Sequence, residues 1–213
     1  PSEYATAAKA IERLIRKGAI KRASTGIFYK PKQSVFGELP PREEELLKPY
    51  LFENGKRIAY ITGASLYNRL GLTTQVPKVL KVACRGKRIT TRIGGIVVKP
   101  VKSYVDVTDN NYTLLEILDA VKDFNNISDL DQSSAIALLS NKIRALTDKE
   151  RALLLKYALL YPPRARALLG AIMDANNSDT KLIFLRNSLN PLTFFDFGSI
   201  FDLLPQASDW NIR

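Results

Sequence analysis

Apolar positions near the start of the chain recur at the spacing of an α-helix. They are three, four and seven residues apart and form one stripe, which consists of Ala8, Ile11, Leu14 and Ile15. The opposite side of the same helix is cationic and carries Lys9, Arg13, Arg16 and Lys17. Gly18 follows, and because glycine adopts positive φ without strain, we predict a helix over residues 7–17 that ends there.

A hairpin pattern comes directly after this helix. Residues 20–23 and 27–30 are short strand-like runs around Ser24-Thr25-Gly26, and Gly26 supplies the left-handed conformation that a tight turn needs. A basic helix followed by a basic hairpin is the order of recognition helix and wing in a winged helix-turn-helix, so we predict a DNA-contacting surface here. The alternative is an ordinary solvated amphipathic helix followed by a hairpin.

Charge is distributed unevenly along the chain. Residues 1–32 hold eight Lys and Arg against two Glu, a net charge of +6, and residues 33–102 hold thirteen against five, a net charge of +8. Residues 103–213 hold eleven Lys and Arg against fourteen acidic residues, a net charge of −3. The overall +11 therefore belongs to the N-terminal half. This favours a polyanionic partner there, and nucleic acid suits a helix and wing better than a membrane does.

The central part of the chain alternates between short helical and strand-like patterns. Residues 33–39 are predicted to be a linker, and a helix with glutamates in its first turn follows Pro40-Pro41 and ends or kinks at Pro49. Residues 58–61 are a predicted strand. Thr62 is the predicted cap of a helix over residues 63–70.

Three further strand-like runs occupy residues 79–84, 88–93 and 96–99. Short glycine-containing links join them, which favours an antiparallel β-meander. Its cations are either a second nucleic-acid contact or ordinary solvated charges: Lys78, Lys81, Arg85, Lys87, Arg88 and Arg92.

From residue 105 onward the chain is leucine-rich and mildly acidic. Helical spacing recurs over residues 114–121, 134–145, 148–160 and 163–174. Thr147 followed by Glu150 is a capping box. The tail aromatics are predicted to be core or a protein interface: Phe194, Phe195, Phe197, Phe201 and Trp210.

These patterns predict an α+β fold in two parts. Residues 1–35 are predicted to be a partial winged helix-turn-helix whose first helix is missing, because only six residues precede the recognition helix. Residues 36–213 are the predicted effector domain. Within it, residues 36–105 are α+β and contain the small antiparallel β-meander, and residues 106–213 are mainly helical.

The amino-acid composition excludes several kinds of catalytic and metal site. The chain has no His and a single Cys, Cys84, so it lacks the commonest general base, an ordinary zinc-ligand set and an intrachain disulfide. Cys84 ends an apolar run and is predicted to be a buried thiol. No segment has the roughly eighteen consecutive apolar residues of a membrane helix, and no signal-peptide pattern opens the chain. We expect a cytoplasmic protein that is not an enzyme and uses no metal or cofactor.

One longer motif carries a family resemblance. Residues 60–77 read Tyr-Ile-Thr-Gly-Ala-Ser-Leu-Tyr-Asn-Arg-Leu-Gly-Leu-Thr-Thr-Gln-Val-Pro, and segments 26–31, 36–41 and 163–170 agree with it. Together they resemble the AbiEi family of antitoxin regulators, which belong to bacterial type IV toxin–antitoxin systems of abortive infection.

The resemblance implies a transcriptional repressor that binds double-stranded DNA at its own promoter and is also the antitoxin of a nucleotidyltransferase-like toxin. It implies that the helix cations face the major groove: Lys9, Arg13, Arg16 and Lys17. It implies that wing residues meet phosphates or the minor groove: Lys21, Arg22, Thr25, Lys30 and Lys32. Lys9 and Arg13 are best placed for base edges, because the N-terminal half of a recognition helix reaches deepest. Whether the protein is a homodimer stays open.

Two other functions remain open on the sequence. The first is an RNA-binding or protein-binding module that uses the basic meander as its contact surface. The second is a metal-dependent nuclease or nucleotidyltransferase, with Asp179-Thr180-Lys181 and Asp129-Leu130-Asp131 as candidate acidic elements. Neither acidic element is complete, because the partner residues that such motifs need do not precede them.

Overall fold

The computed structural model describes residues 3–35, 37–39, 41–93, 95–176 and 182–213. Helix α1 (Glu3–Arg16) begins earlier than predicted, and Gly18 follows it with a φ of 69°. Strands β1 (Lys21–Ser24) and β2 (Ile27–Tyr29) form the expected antiparallel hairpin, in which Gly26 has a φ of 75°. The predicted order of basic helix and basic hairpin is therefore present.

A second hairpin replaces the linker predicted over residues 33–39. Strands β3 (Lys32–Ser34) and β4 (Gly37–Leu39) pair antiparallel, and the Ser34 hydroxyl donates to the Gly37 carbonyl at 2.8 Å. The linker prediction is wrong, and the hairpin was missed because the described residues of its two strands bury no apolar side chain. Backbone pairing and the side chain of Glu38 hold it instead, and neither produces an alternating pattern.

A short helix leads from this hairpin to the central sheet. Helix α2 (Glu43–Leu51) has acidic residues in its first turn and Pro49 near its end, as predicted. The two-residue strands β5 (Phe52–Glu53) and β6 (Lys56–Arg57) pair next to it.

Four strands form the central sheet. They are β7 (Ala59–Thr62), β8 (Val79–Cys84), β9 (Thr91–Ile93) and β10 (Ile96–Lys102). Their order in space is β7-β8-β10-β9. Helix α3 (Ala64–Leu70) connects β7 to β8 and ends at Gly71, which has a φ of 80°.

The predicted antiparallel meander is correct for one connection and wrong for the other. Strands β9 and β10 form an antiparallel hairpin, but β8 and β10 are parallel neighbours. Residues 85–90 carry the chain to the far edge, and β10 then returns between β8 and β9. Turn rules treat each link alone, so they do not detect a strand that inserts later.

The C-terminal region is rich in helices, as predicted. Its helices are α4 (Tyr112–Lys122), α5 (Gln132–Arg144), α6 (Asp148–Ala158), α7 (Pro163–Ala175) and α8 (Leu182–Asn187). The capping box of Thr147 and Glu150 is present at the start of α6. Within the described ranges, no helix is long and apolar enough to cross a membrane.

Two apolar clusters lie on the two faces of the central sheet. The first fills the space between one sheet face, α2 and the wing, and includes Leu47, Val82 and Ile27. Cys84 is buried in this cluster, which confirms the prediction of a buried thiol. The second cluster lies between the other sheet face and the helical region. The wing is therefore joined to the rest of the molecule by apolar contact.

The tail aromatics divide between the core and the surface. Trp210 and Phe197 are buried in the second cluster, whereas Phe194 and Phe201 are exposed. Trp210 lies against Gly170 of α7, where a Cβ atom would overlap the indole ring. This close approach explains why the turn of α7 that faces Trp210 carries a glycine.

Candidate nucleic-acid interface

Helix α1 carries three of its four predicted DNA-contacting cations, and Lys17 follows directly after its last residue. Lys9, Arg13, Arg16 and Lys17 are all exposed, and no residue of α1 is buried. The apolar stripe is also open among the described residues, since Leu14 and Ile15 remain 40% and 38% exposed. The amphipathic prediction is correct in pattern, but the described part of the chain does not cover the stripe.

The five residues predicted for the wing lie on the surface, and Lys32 among them is the first residue of β3 in the second hairpin. Lys21, Arg22, Thr25, Lys30 and Lys32 are exposed. One apolar side chain fixes the hairpin, because Ile27 is buried against the cluster of α2 and the sheet. Thr25 lies in the turn between β1 and β2. The hairpin thus combines an anchored base with a polar, cationic exterior.

Two of the wing cations are already paired with carboxylates. Lys21 Nζ donates to Glu38 at 2.5 Å, and Lys32 Nζ donates to Glu45 at 2.9 Å. The hydrogen bond to Glu38 raises the pKa of Lys21, and the hydrogen bond from Lys32 lowers the pKa of Glu45. In the described part of the chain, α1 has no such ion pair. The helix therefore offers its charge more freely than the wing does.

The cations predicted on the meander are separated by the sheet. Lys78, Lys81, Arg85, Lys87, Arg88 and Arg92 are all exposed. Arg85 pairs with Asp106 and Lys87 with Glu53 beyond the end of β8. Side chains alternate between the two faces of the sheet, and Lys81 and Arg92 point to the face opposite α2. Lys99, a cation that the sequence prediction did not include, lies on the same face. The meander cations are therefore not a single surface.

A buried carboxylate links the motif of residues 60–77 to the helical region. Asp119 of α4 is 2% exposed and accepts hydrogen bonds from Tyr60 at 2.8 Å and Thr62 at 2.6 Å. Tyr161 donates to it at 3.3 Å, and Lys122 Nζ lies at 3.1 Å. The prediction that Thr62 caps a helix is wrong, because its hydroxyl is used here and Gly63 takes the N-cap position.

The sequence contains only a weak signal for this cluster. Tyr60 and Thr62 are two residues apart on a strand, so their side chains share one face. Asp119 is an acidic residue in an otherwise apolar helical turn. Since the partners are 57 and 59 residues apart, no local pattern joins them.

The electrostatics of the Asp119 cluster keep its hydroxyls protonated. Burial, followed by the negative charge of Asp119, raises the pKa of Tyr60 and of Tyr161 above the usual tyrosine range. Burial lowers the pKa of Lys122, but the charges of Asp119 and Asp123 outweigh this and raise it overall. At neutral pH the tyrosines are therefore donors, and the cluster is a structural polar centre.

The candidate metal-binding acids have other roles where the structure describes them. Asp131 caps α5 by accepting from the Ser134 N–H at 2.8 Å, and Asp129 accepts from Gln75 at 3.1 Å. Asp179-Thr180-Lys181 lies outside the described residues. Among the residues that are described, no group of three or more His, Cys, Asp or Glu could hold a metal ion.

The fold and this surface define an α+β protein with an exposed basic helix and an anchored basic wing. By sequence comparison, the chain belongs to DUF6088, a family of unknown function, whose match covers residues 2–150. That span runs from α1 through the central sheet to the start of α6. Neither the curated proteins nor the solved structures gave a significant match.

Proposed function

We propose that this protein is a sequence-specific regulator that binds double-stranded DNA through α1 and the wing. The observation that carries the proposal is the run of exposed cations on α1, with no ion pair among the described residues, directly before an anchored basic hairpin. A surface that spans helix and wing neutralises several phosphates together, and this favours a duplex partner.

The helix and the wing have different roles in this proposal. Lys9 and Arg13 lie in α1 and contact base edges, where one bidentate contact contributes roughly 1–3 kcal/mol of discrimination between bases. The wing contacts phosphates, which strengthen binding to every sequence. Because Lys21 and Lys32 are paired with Glu38 and Glu45, the wing must exchange carboxylates for phosphates when DNA binds.

A finer proposal rests on the resemblance of residues 60–77 to the AbiEi family. In this proposal the chain represses its own operon and acts as the antitoxin of a nucleotidyltransferase-like toxin. The helical region beyond the sheet carries the antitoxin activity. Direct contact with the toxin is not required by the proposal.

The DNA proposal is tested by fluorescence anisotropy with the upstream duplex of the gene and a scrambled duplex, across a salt series. We expect tight binding to the upstream duplex, a steep salt dependence and a large excess over the scrambled duplex. Arg13→Ala reduces that excess, whereas Lys149→Ala, which removes an exposed cation from α6, leaves it unchanged. Weak and equal binding to both duplexes would overturn the proposal.

The antitoxin proposal is tested separately by growth. The chain is co-expressed with a nucleotidyltransferase-like protein encoded in the same operon, and rescue of growth is measured. The double variant Lys9→Ala/Arg13→Ala is expected to lose repression of the operon and to keep the rescue. If the unaltered chain gives no rescue, the antitoxin role is wrong and the DNA-binding role stands on its own data.

A further inference from the structure

The two faces of the central sheet differ in what covers them. Leu80, Val82 and Val98 point to the face that packs under α2. Among the described residues, the opposite face packs on the helical region near Tyr60, Thr62, Ala83 and Val101. The remaining part of that face is open, and we call it the open sheet face. It carries Lys81, Lys99 and Arg92, all exposed, with Val79 and Val97 between them.

The register of the sheet places two of these cations side by side. Lys99 of β10 is the direct partner of Lys81 of β8, and Arg92 of β9 is the direct partner of Val97. Neighbouring strands lie about 4.8 Å apart, and like charges directly opposite each other are unfavourable.

Asp123 lines the same pocket as Lys81, but its ion pair is with Lys122. Among the described residues, neither Lys81 nor Lys99 nor Arg92 takes part in an ion pair, whereas Arg85 and Lys87 on the nearby loop pair with Asp106 and Glu53. A cation pair that lacks an internal partner attracts an external anion.

Packing limits the directions that Lys81 can take. Gly63 has a φ of 72°, and a Cβ atom built there would lie 2.9 Å from Cδ of Lys81. The aliphatic part of Lys81 therefore packs against Gly63, which belongs to the motif of residues 60–77. It also lines a polar pocket of about 240 Å³ with Gln75, Asn126 and Asp123. A charge carried on a packed stem loses less conformational freedom when it binds.

We infer that the open sheet face binds the phosphate backbone of duplex DNA that flanks the segment held by α1 and the wing. This inference rests on the proposed function and adds a second contact surface to it. Strand β9, which carries Arg92, is an edge strand and packs against β1 of the wing. The wing itself packs on the other face of the sheet, so the duplex reaches both surfaces by passing the β9 edge. The uncharged side chains of the face are Val79 and Val97, which cannot stack on bases. This favours backbone contact over recognition of single-stranded RNA.

The test compares two double variants that each remove two positive charges. Lys81→Gln/Lys99→Gln alters the open sheet face, and Arg85→Gln/Lys87→Gln alters the carboxylate-paired cations nearby. Each phosphate contact on B-DNA contributes about 0.9 to the slope of log affinity against log salt. We expect the first variant to lower that slope by about 1.8 on both the upstream and the scrambled duplex. The second variant is expected to leave the slope unchanged.

The outcomes separate this inference from the proposed function. A steep slope for the unaltered chain, combined with equal slopes for both double variants, overturns the inference and leaves the proposed function intact. The inference is also overturned if Lys81→Gln/Lys99→Gln weakens binding to single-stranded RNA and leaves binding to duplex DNA unchanged. If the unaltered chain binds no duplex, both proposals fail. Should the double variant not fold, Lys99→Gln alone is used, with an expected decrease of about 0.9.

Discussion

The hydroxyl of Tyr60 donates a hydrogen bond of 2.8 Å to Oδ2 of Asp119 and so joins β7 to α4. Thr62 from the same strand binds the same oxygen at 2.6 Å. Tyr161 and Lys122 complete the surroundings of the carboxylate. A buried charge is tolerated here because three hydroxyl groups and one ammonium group are directed at it.

Replacement of Asp119 by alanine is expected to lower the free energy of unfolding by about 3 kcal/mol or more. The substitution leaves three hydroxyls and one ammonium group without their buried acceptor. Urea denaturation followed by fluorescence of Trp210, the single tryptophan, measures the change. Asp202→Ala removes an exposed carboxylate and is the control. Equal midpoints for the two variants would show that the cluster does not stabilise the fold.

Alkaline pH is expected to lower the free energy of unfolding, because three buried tyrosines keep their protons only in the folded protein. Burial and neighbouring carboxylates raise the pKa of Tyr60, Tyr67 and Tyr161 in the folded protein. Above pH of about 10, the unfolded chain releases these protons while the folded chain retains them. Stability is therefore fully present below that pH and falls as pH rises, by up to about 1.4 kcal/mol per pH unit for each tyrosine.

The slope of stability against pH is the readout that isolates this effect. Urea midpoints between about pH 8 and pH 11 give the slope. Tyr60→Phe removes one of the titrating groups and makes the slope shallower, whatever its effect on stability at neutral pH. Tyr4→Phe changes a tyrosine that is 85% exposed and is the matched control. A slope that Tyr60→Phe leaves unaltered contradicts the prediction.

Gly170→Ala is expected to destabilise the protein although alanine favours helices. Alanine gains about 1 kcal/mol over glycine in a helix interior, but its Cβ would overlap the indole of Trp210. Overpacking of this kind costs about 1–3 kcal/mol, and here the obstacle is a buried ring in a tight core. Thermal unfolding measures the net loss. Gly86→Ala is the control because nothing lies within 4 Å of the added atom, and a similar melting temperature for both variants is the contrary result.

Removal of the two carboxylates that pair with Lys21 and Lys32 is expected to strengthen binding to DNA. Glu38→Gln/Glu45→Gln releases Lys21 and Lys32 from their ion pairs, and the affinity for DNA rises because these ion pairs no longer have to be broken before the lysines contact phosphates. The gain is the same for the upstream and the scrambled duplex, since phosphates carry no sequence information. Asp202→Asn/Asp209→Asn removes two exposed negative charges elsewhere and tests for a general charge effect. Equal gains for both double variants would refute a specific role of the wing.

The sequence predicted the long helices well because their apolar periodicity is local and strong, whereas the six-residue helix α8 was not predicted. The capping box of Thr147 and Glu150 fixed the start of α6, and the glycines after α1 and α3 marked where those helices end. The hairpin around Gly26 was predictable for the same reason, since its turn residue and its flanking strands are adjacent in the chain.

The sheet order and the Asp119 cluster could not be predicted in the same way. After β8 the chain first forms β9 at the sheet edge, and β10 then lies between β8 and β9 and pairs with β8 in parallel. The short links between consecutive strands carry no signal for this order. Asp119 finds its partners 57 and 59 residues upstream and 42 residues downstream. The hairpin of β3 and β4 was missed because polar strands have no periodic signal.

The separation of these partners along the chain constrains the order of events at the ribosome. Strand β7 is synthesised long before α4, and Tyr161 follows Asp119 by a further 42 residues. The polar side chains of β7 remain without their buried acceptor until α4 has emerged, and the acceptor itself is fully surrounded only after Tyr161. The nascent N-terminal half thus waits for the helical region before its sheet is sealed. A chain interrupted before residue 161 lacks one of the hydrogen-bond donors to the carboxylate of Asp119.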